Sequence, residues 1–244
     1  ENAALTSRVI DRPMRPLFPK DYRNDVTLNN LVTSVDPECR PELVAMLGSA
    51  IATAISDVPF CGPCAMTQVG MIDGEFIINP SQKQWDEGDL KLTVASTSTK
   101  VIMIEAGANE IPEDKMIEAI YKAHDVNLSI IEFINKMVEE VGKPKHDYVS
   151  CAIPEELFAA MKEIVTPAEM EVAVFTDEKQ VREENIRQIR EKFEEAFADN
   201  EEWLALIPEA LYQYQKKTVR KMILKDRKRP DGRAINQIRP LAAE

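Results

Sequence analysis

The sequence predicts an α+β domain followed by a small all-helical one, and three observations carry the prediction. Up to about Gly142, short apolar runs bounded by turn residues alternate with two long helical patterns. Beyond Pro154 the strand signals vanish, and apolar residues recur only at three- and four-residue spacing. Between them Gly142–Ser150 (G-K-P-K-H-D-Y-V-S) fits neither pattern and reads as a linker. The expected boundaries are 1–142, a linker 143–153, helices over 154–228, and a return to extended sequence over 229–244.

Within the first domain, Val26, Leu28 and Val32 with polar residues between them read as a strand. Pro41–Ser56 is apolar nearly all round and reads as a buried helix. Ala65–Ile72 and Glu75–Ile78 flank Asp73-Gly74, a favoured two-residue hairpin turn. Lys91–Ala95 and Val101–Ile104 make a second strand pair around a Ser/Thr turn. Pro112–Val141 is a long amphipathic helix whose stripe runs through Ile117, Ile120, His124, Asn127, Ile131, Ile134, Val138 and Val141.

In the second domain, Leu157, Phe158, Met161, Ile164 and Val165 mark one helix. Thr166-Pro167-Ala168-Glu169 is a capping box with proline at the first helical position, so another helix starts there. Ile186, Ile189, Phe193 and Phe197 mark a third, and Leu204, Ile207, Leu211, Tyr214 and Met222 a fourth.

Composition narrows the function. At 44% hydrophobic and 30% charged, the 244 residues are ordinary globular sequence. No apolar run of about 18 residues exists to span a bilayer, and no secretory leader opens the chain. A first residue of Glu suggests a fragment or a trimmed product. The net charge of -12 repels a polyanion on average, so any nucleic-acid contact has to be local. Four sparse cysteines make no disulfide scaffold and fit a reducing cytoplasm.

The strongest local signal is Ser7–Pro19, S-R-V-I-D-R-P-M-R-P-L-F-P. Helical spacing would project Arg8, Arg12 and Arg15 from one face, and the planar guanidinium suits phosphate oxygens. Prolines 13, 16 and 19 stiffen the segment and end it. The competing reading is a solvated face or an ion-pair set built with Asp11 and Glu1.

This segment, together with Val58–Gly62 (V-P-F-C-G) and Ile77–Pro80, resembles the polynucleotide phosphorylase family, and in the same order. The closing R-P-D-G-R and I-R-P-L of Arg229–Leu241 resemble the start of an RNase PH-like domain. The resemblance covers essentially the whole chain: a first RNase PH-like core truncated at its start, the helical domain, and entry to a second core. It implies phosphorolytic 3′→5′ degradation of single-stranded RNA to nucleoside diphosphates in mRNA turnover, with inorganic phosphate as co-substrate. It also implies a ring-shaped homotrimer threaded by RNA, Arg8, Arg12 and Arg15 as RNA or phosphate contacts, and RNA-degradation complex proteins as possible partners. The family's F-F-R-R channel loop would lie upstream of Glu1. Its catalytic D-x-x-x-G-D-x-D-x-K and Mg²⁺ would belong to the second core, after Glu244.

Anchored on Val94-Ala95, the matching stretch here is Trp85-Asp86-Glu87-Gly88-Asp89-Leu90-Lys91-Leu92-Thr93. Gly88 and Asp89 survive, whereas Trp85, Lys91 and Thr93 replace the outer acid, the last Asp and the Lys. A hard Mg²⁺ needs carboxylates, and Lys91 puts a cation in their place. This core is therefore expected to be catalytically silent and to hold no metal. Asp86 lies one place from the outer acid, which leaves a slip of one residue open.

Other features compete for attention. Cys61-Gly62-Pro63-Cys64 is the thioredoxin redox sequence, but it follows a helix and precedes a strand, the reverse of the redox arrangement. His124, on an apolar stripe, is expected to be a hydrogen-bonded core histidine, and His146 an exposed linker residue. Lys216, Lys217, Arg220, Lys221, Lys225, Arg227, Lys228 and Arg229 form one basic run, either an RNA-facing patch or a solvated helix. The reading that follows is a non-catalytic region of an exoribonuclease that builds the trimer and lines the RNA path. A stand-alone RNA-binding or protein-interaction module is the alternative, with a thiol oxidoreductase behind it.

Overall fold

Residues 2–241 are described from a computed structural model, in which the chain forms two compact units, up to Cys151 and from Ala152 onward. The first unit opens with α1 (Asn2–Met14), which buries Ile10 and Met14 one turn apart. Pro13 cannot donate a backbone bond within α1, and the helix ends one residue later by tightening into a 3-10 turn at Arg15–Leu17. Helix α2 (Pro41–Ile55) follows, with proline at its first position.

A four-stranded antiparallel sheet comes next, β1 (Ala65–Ile72), β2 (Glu75–Ile78), β3 (Leu90–Ser96) and β4 (Val101–Ala108), in the order β2-β1-β3-β4. The hairpin turn predicted at Asp73-Gly74 is present, and its geometry explains the residues. Both have positive φ, 50° and 82°, as a turn matched to strand twist requires. Between β2 and β3 lies α3 (Gln82–Glu87), capped by Ser81, whose Oγ accepts from Gln84 N at 3.4 Å while Gln84 Oε1 accepts from Ser81 N at 3.0 Å.

The two faces of the sheet are covered differently. Val69, Met71, Leu90, Leu92 and Val94 pack on Ala119 and Ala123 of the 29-residue helix α4 (Glu113–Val141). Met66, Ala95 and Met103 face the other way, onto Ile10 and Met14 of α1 and Met46 of α2. On the α4 side Asn127, fully buried, donates from Nδ2 to Val94 O (3.1 Å) and Ser96 Oγ (2.9 Å). Its Oδ1 accepts from Thr67 Oγ1 at 2.8 Å. This polar hub fixes how α4 lies along β1 and β3.

Several expectations need correction. Val26, Leu28 and Val32 form no strand among the described residues: Leu31 between them is 87% exposed, and no ladder partner lies beside the segment. Alternating apolar residues make a segment ready to pair, but a strand needs a neighbour to take its backbone bonds. Helix α2 is not buried all round, since Val44 is 56% exposed on a face with Gly48 and Ala52. Ile117 and Val141, at the two ends of the α4 stripe, are also exposed; around Ile117 it is Met116, Ala119 and Ala123 that meet the sheet.

The segment after α4 is strapped down. Lys145 Nζ donates to the carbonyls of Thr53 (3.2 Å), Ala54 (2.9 Å) and Ser56 (2.6 Å), satisfying the orphan acceptors at the end of α2. Burial lowers the pKa of that ammonium. Tyr148 and Ser150 donate to Asp21 at 3.0 and 2.5 Å. His146, half-buried rather than exposed, meets Tyr22 Oη through Nε2 at 3.2 Å.

The second unit packs α5 (Glu155–Ile164), α6 (Pro167–Val174), α7 (Lys179–Ala196) and α8 (Glu201–Leu224) around Leu157, Met161, Met170, Phe193, Ile207 and Met222. The capping box predicted at Thr166 is formed: Thr166 Oγ1 accepts from Glu169 N at 3.3 Å, and Glu169 Oε2 accepts from Thr166 N at 2.8 Å. Tyr214, buried, donates its hydroxyl to Val165 O at 2.8 Å. After α8 the chain forms turns, with Gly232 at φ +72°.

Candidate nucleic-acid interface

Helix α1 presents Arg8 and Arg12 to solvent, and the 3-10 turn that follows it presents Arg15. Two of the three already have partners. Arg12 Nη1 donates to Glu105 Oε2 of β4 at 3.0 Å, and Arg15 chelates Asp11 one turn back, with contacts of 2.7 to 3.0 Å. Hydrogen bonding to Asp11 holds the Arg15 guanidinium still more firmly protonated. Asp11 thus plays the ion-pair role open to it in the sequence, while Glu105, 93 residues from Arg12, has no local signal. Arg8 is exposed and makes no ion pair among the described residues. Both pairs are solvent-exposed, with side chains 46 to 77% accessible, so a competing phosphate meets little resistance.

Strand register ties this helix to the positions of the altered acidic pattern. Glu105 is the cross-strand partner of Thr93, and Thr93 and Lys91 point to the α1 side, away from Asn127. Arg12, Glu105, Thr93 and Lys91 therefore share one face of the sheet. Gln68 joins them, donating from Nε2 to Thr93 Oγ1 at 3.4 Å, while its buried Oε1 has no partner.

The fit of this face to a divalent metal is poor. Lys91 Nζ lies 3.9 Å from Asp86 Oδ1 and Arg12 holds Glu105 at 3.0 Å, so each of these acids already faces a cation. Trp85, at the position of the outer acid, lies beneath the Arg40 guanidinium, 4.3 Å from the ring centroid. Asp89 accepts from Asn109 Nδ2 at 3.3 Å. Gly88 is kept by sterics, because a Cβ there would meet Gln84 O at 2.9 Å and Met71 O at 3.0 Å. Among the described residues no three His, Cys, Asp or Glu side chains converge as a metal set.

The remaining sequence candidates separate. Cys61 is exposed, but Cys64 is buried beside β1, and burial pushes its thiol up to about 12. No helix opens at the pair to lower a thiol pKa. His124 differs from expectation: its Nδ1 is buried without a hydrogen-bond partner among the described residues. No helix of the described residues is long and apolar enough to cross a membrane. Sequence reasoning missed α3, although Ser81-Gln82-Lys83-Gln84 is itself a capping-box signature.

Comparison with known proteins assigns both units. Residues 62–126 match the 3′ exoribonuclease family, domain 2, and residues 156–234 match the polyribonucleotide nucleotidyltransferase RNA binding domain. The first unit is accordingly an RNase PH-like α+β domain, and the second the helical domain that accompanies it. A polyribonucleotide nucleotidyltransferase of Lachnoclostridium phytofermentans is 73% identical over 245 residues, covering 100% of this chain and 35% of its own length. Those of Ruminiclostridium cellulolyticum and Caldicellulosiruptor saccharolyticus are each 46% identical over the same shares. A crystal structure of rice (Oryza sativa) Rrp46 aligns at a TM-score of 0.38 and 13% identity, covering 43% of this chain and 49% of that one, a likeness too slight to argue from. The chain belongs to the polyribonucleotide nucleotidyltransferase family and spans about a third of the length of the curated relatives it matches.

Proposed function

We propose that this chain is the non-catalytic scaffold region of a phosphorolytic 3′→5′ exoribonuclease acting in cytoplasmic mRNA turnover. In that reaction a phosphate oxygen attacks the terminal phosphodiester, releasing a nucleoside diphosphate and leaving a 3′-hydroxyl on the shortened RNA. The observation that supports silence is the Asp86–Lys91 pair, an ammonium 3.9 Å from the acid that a metal would need. The divalent cation, Mg²⁺, would then be held by residues of a longer protein and not by this face.

On this reading the first RNase PH-like domain covers 1–142, the helical domain 154–228, and a second core begins at 229. The whole works as a homotrimer on single-stranded RNA, with inorganic phosphate as co-substrate and room for RNA-degradation partners. Arg8, Arg12 and Arg15 contact the RNA backbone, with Arg12 and Arg15 exchanging their carboxylate partners for phosphate. The exposure of all three and the weak hold of exposed ion pairs support that exchange.

The test is a phosphorolysis assay of the full chain with end-labelled single-stranded RNA, phosphate and Mg²⁺, run beside a binding titration. The expected result is RNA binding without diphosphate release. Arg12→Ala is expected to weaken binding and to lower the salt slope by about 0.7 per lost phosphate contact. Diphosphate release would overturn the silent assignment. An unchanged slope and affinity would remove Arg12 from the RNA path.

A further inference from the structure

The segment after α4 has the composition of a free linker, yet the fold pins it to the first unit along its length. Lys143 N donates to Ile55 O at 2.9 Å and His146 N to Asp57 O at 2.8 Å. With Lys145 Nζ on Thr53, Ala54 and Ser56, every carbonyl from Thr53 to Asp57 at the end of α2 accepts from this one segment. An ammonium there also suits the negative end of the helix dipole. Farther along, Tyr148 and Ser150 share the Asp21 carboxylate, and Cys151 N donates to Asp21 O at 3.4 Å. The Tyr22 ring links the two holds: its centroid lies 5.8 Å from that of His146 and 5.1 Å, edge-on, from that of Tyr148.

These holds are polar bonds and ring contacts at the surface. No residue from Lys143 to Cys151 is buried, and Val149 is 89% exposed. A piece of chain that buries so little apolar surface opens more easily than the core it lies on. It also begins at a sharp change of direction. Gly142 ends α4, and a Cβ at that position would clash with Val138 O.

We propose that residues 143–151 form a latch that opens and closes as one piece about Gly142, held shut by Lys145 at one end and Asp21 at the other. Closed, the latch keeps the chain on the first unit as far as Cys151, one residue before the helical unit begins. Open, it releases the chain at Gly142, and about 30 Å of extended backbone joins the tether to the helical unit. Opening also strips the caps from the end of α2, so that helix end loosens with the latch. The Cys151 thiol, half-buried when the latch is closed, is uncovered when it opens.

The experiment is amide hydrogen exchange of the full chain, read by NMR at single residues, with alkylation of Cys151 as a second readout. In the unchanged chain the Lys143 and His146 amides are expected to exchange well before those of β1 and β3. Lys145→Met keeps the apolar stem but removes the donors, and is expected to speed exchange at Lys143 and His146 about tenfold. Asp21→Ala alters only the far hold, yet one-piece opening requires it to speed exchange at the same two amides. In both variants Cys151 is expected to alkylate faster while buried Cys64 stays unlabelled. If Lys145→Met does not fold, Asp21→Ala carries the test. Faster exchange confined to the altered end would mean separate contacts and would overturn the latch. Variants that exchange like the unchanged chain, or segment amides that open only together with the sheet, would overturn it as well.

Discussion

The two units fill their interiors by different means. In the first, a buried asparagine makes three hydrogen bonds to two strands at the centre of an otherwise apolar contact between helix and sheet. In the second, thirteen buried residues pack by shape, and the one hydroxyl among them, on Tyr214, donates to a helix-end carbonyl. A helix lying on a sheet can slide along the strands with little change in apolar burial, so a polar hub is what fixes its position. Four helices wrapped round one another interlock through large side chains and have less need of one.

The largest effect expected from breaking that contrast is at Phe193, fully buried in the helical unit. Phe193→Ala is expected to cost about 3–5 kcal/mol, enough to unfold a unit of this size. Calorimetry should show one transition lost or lowered while the other holds, and a uniform drop would mean the units do not unfold separately. Asn127→Ala in the first unit follows, at about 2–3 kcal/mol, because it removes the partner of the Thr67 and Ser96 hydroxyls and one donor to the Val94 carbonyl. Asn127→Leu should not rescue it, despite added apolar surface; a stability equal to the unchanged chain in urea would show that the hub does not anchor α4.

A smaller effect is expected at the start of α6. Thr166→Ala removes one arm of the capping box and should cost about 1 kcal/mol, while Thr166→Ser should cost little. The smallest lies in the pH dependence of the first unit. Because burial raises the Cys64 thiol to about 12, its contribution is complete below the pKa it has in the unfolded chain. That contribution is lost as pH rises through that value towards 12. At neutral pH Cys64→Ser should therefore show only a packing cost, and that cost should shrink above about pH 9 as the unchanged chain loses the thiol's contribution. At pH 8 an alkylating agent should label Cys61 and spare Cys64, read by mass spectrometry.

What was legible in the sequence was local chemistry. Asp73-Gly74 specifies its turn with two adjacent residues, and Thr166 to Glu169 specifies a helix start with four. Long-range pairings left no such trace. Nothing near Arg12 announces Glu105, and nothing on the α4 stripe marks Asn127 as the residue on which three strand groups converge. The segment of Val26, Leu28 and Val32 shows the reverse failure: its alternation is a genuine local preference, but a strand also depends on a neighbour that sequence periodicity cannot supply. The three arginines were singled out by residue type and spacing, and all three are exposed. The Glu105 partner of Arg12 was set by the fold, whereas Asp11, one turn from Arg15, was in view in the sequence.

The Asn127 hub also limits how this protein can change in length. Ala119, Ala123, Asn127, Ile131 and Ile134 meet their neighbours in one fixed rotational phase of α4. One residue inserted among them would turn everything on one side by about 100° and carry either the alanines or the asparagine away from the sheet. Additions of a near-whole turn, three or four residues, come closest to keeping the phase, and then only past the ends of the buried stripe. The exposed turn at Ser98-Thr99 lies outside that helix and can lengthen at a loop-closure cost that grows only slowly with length.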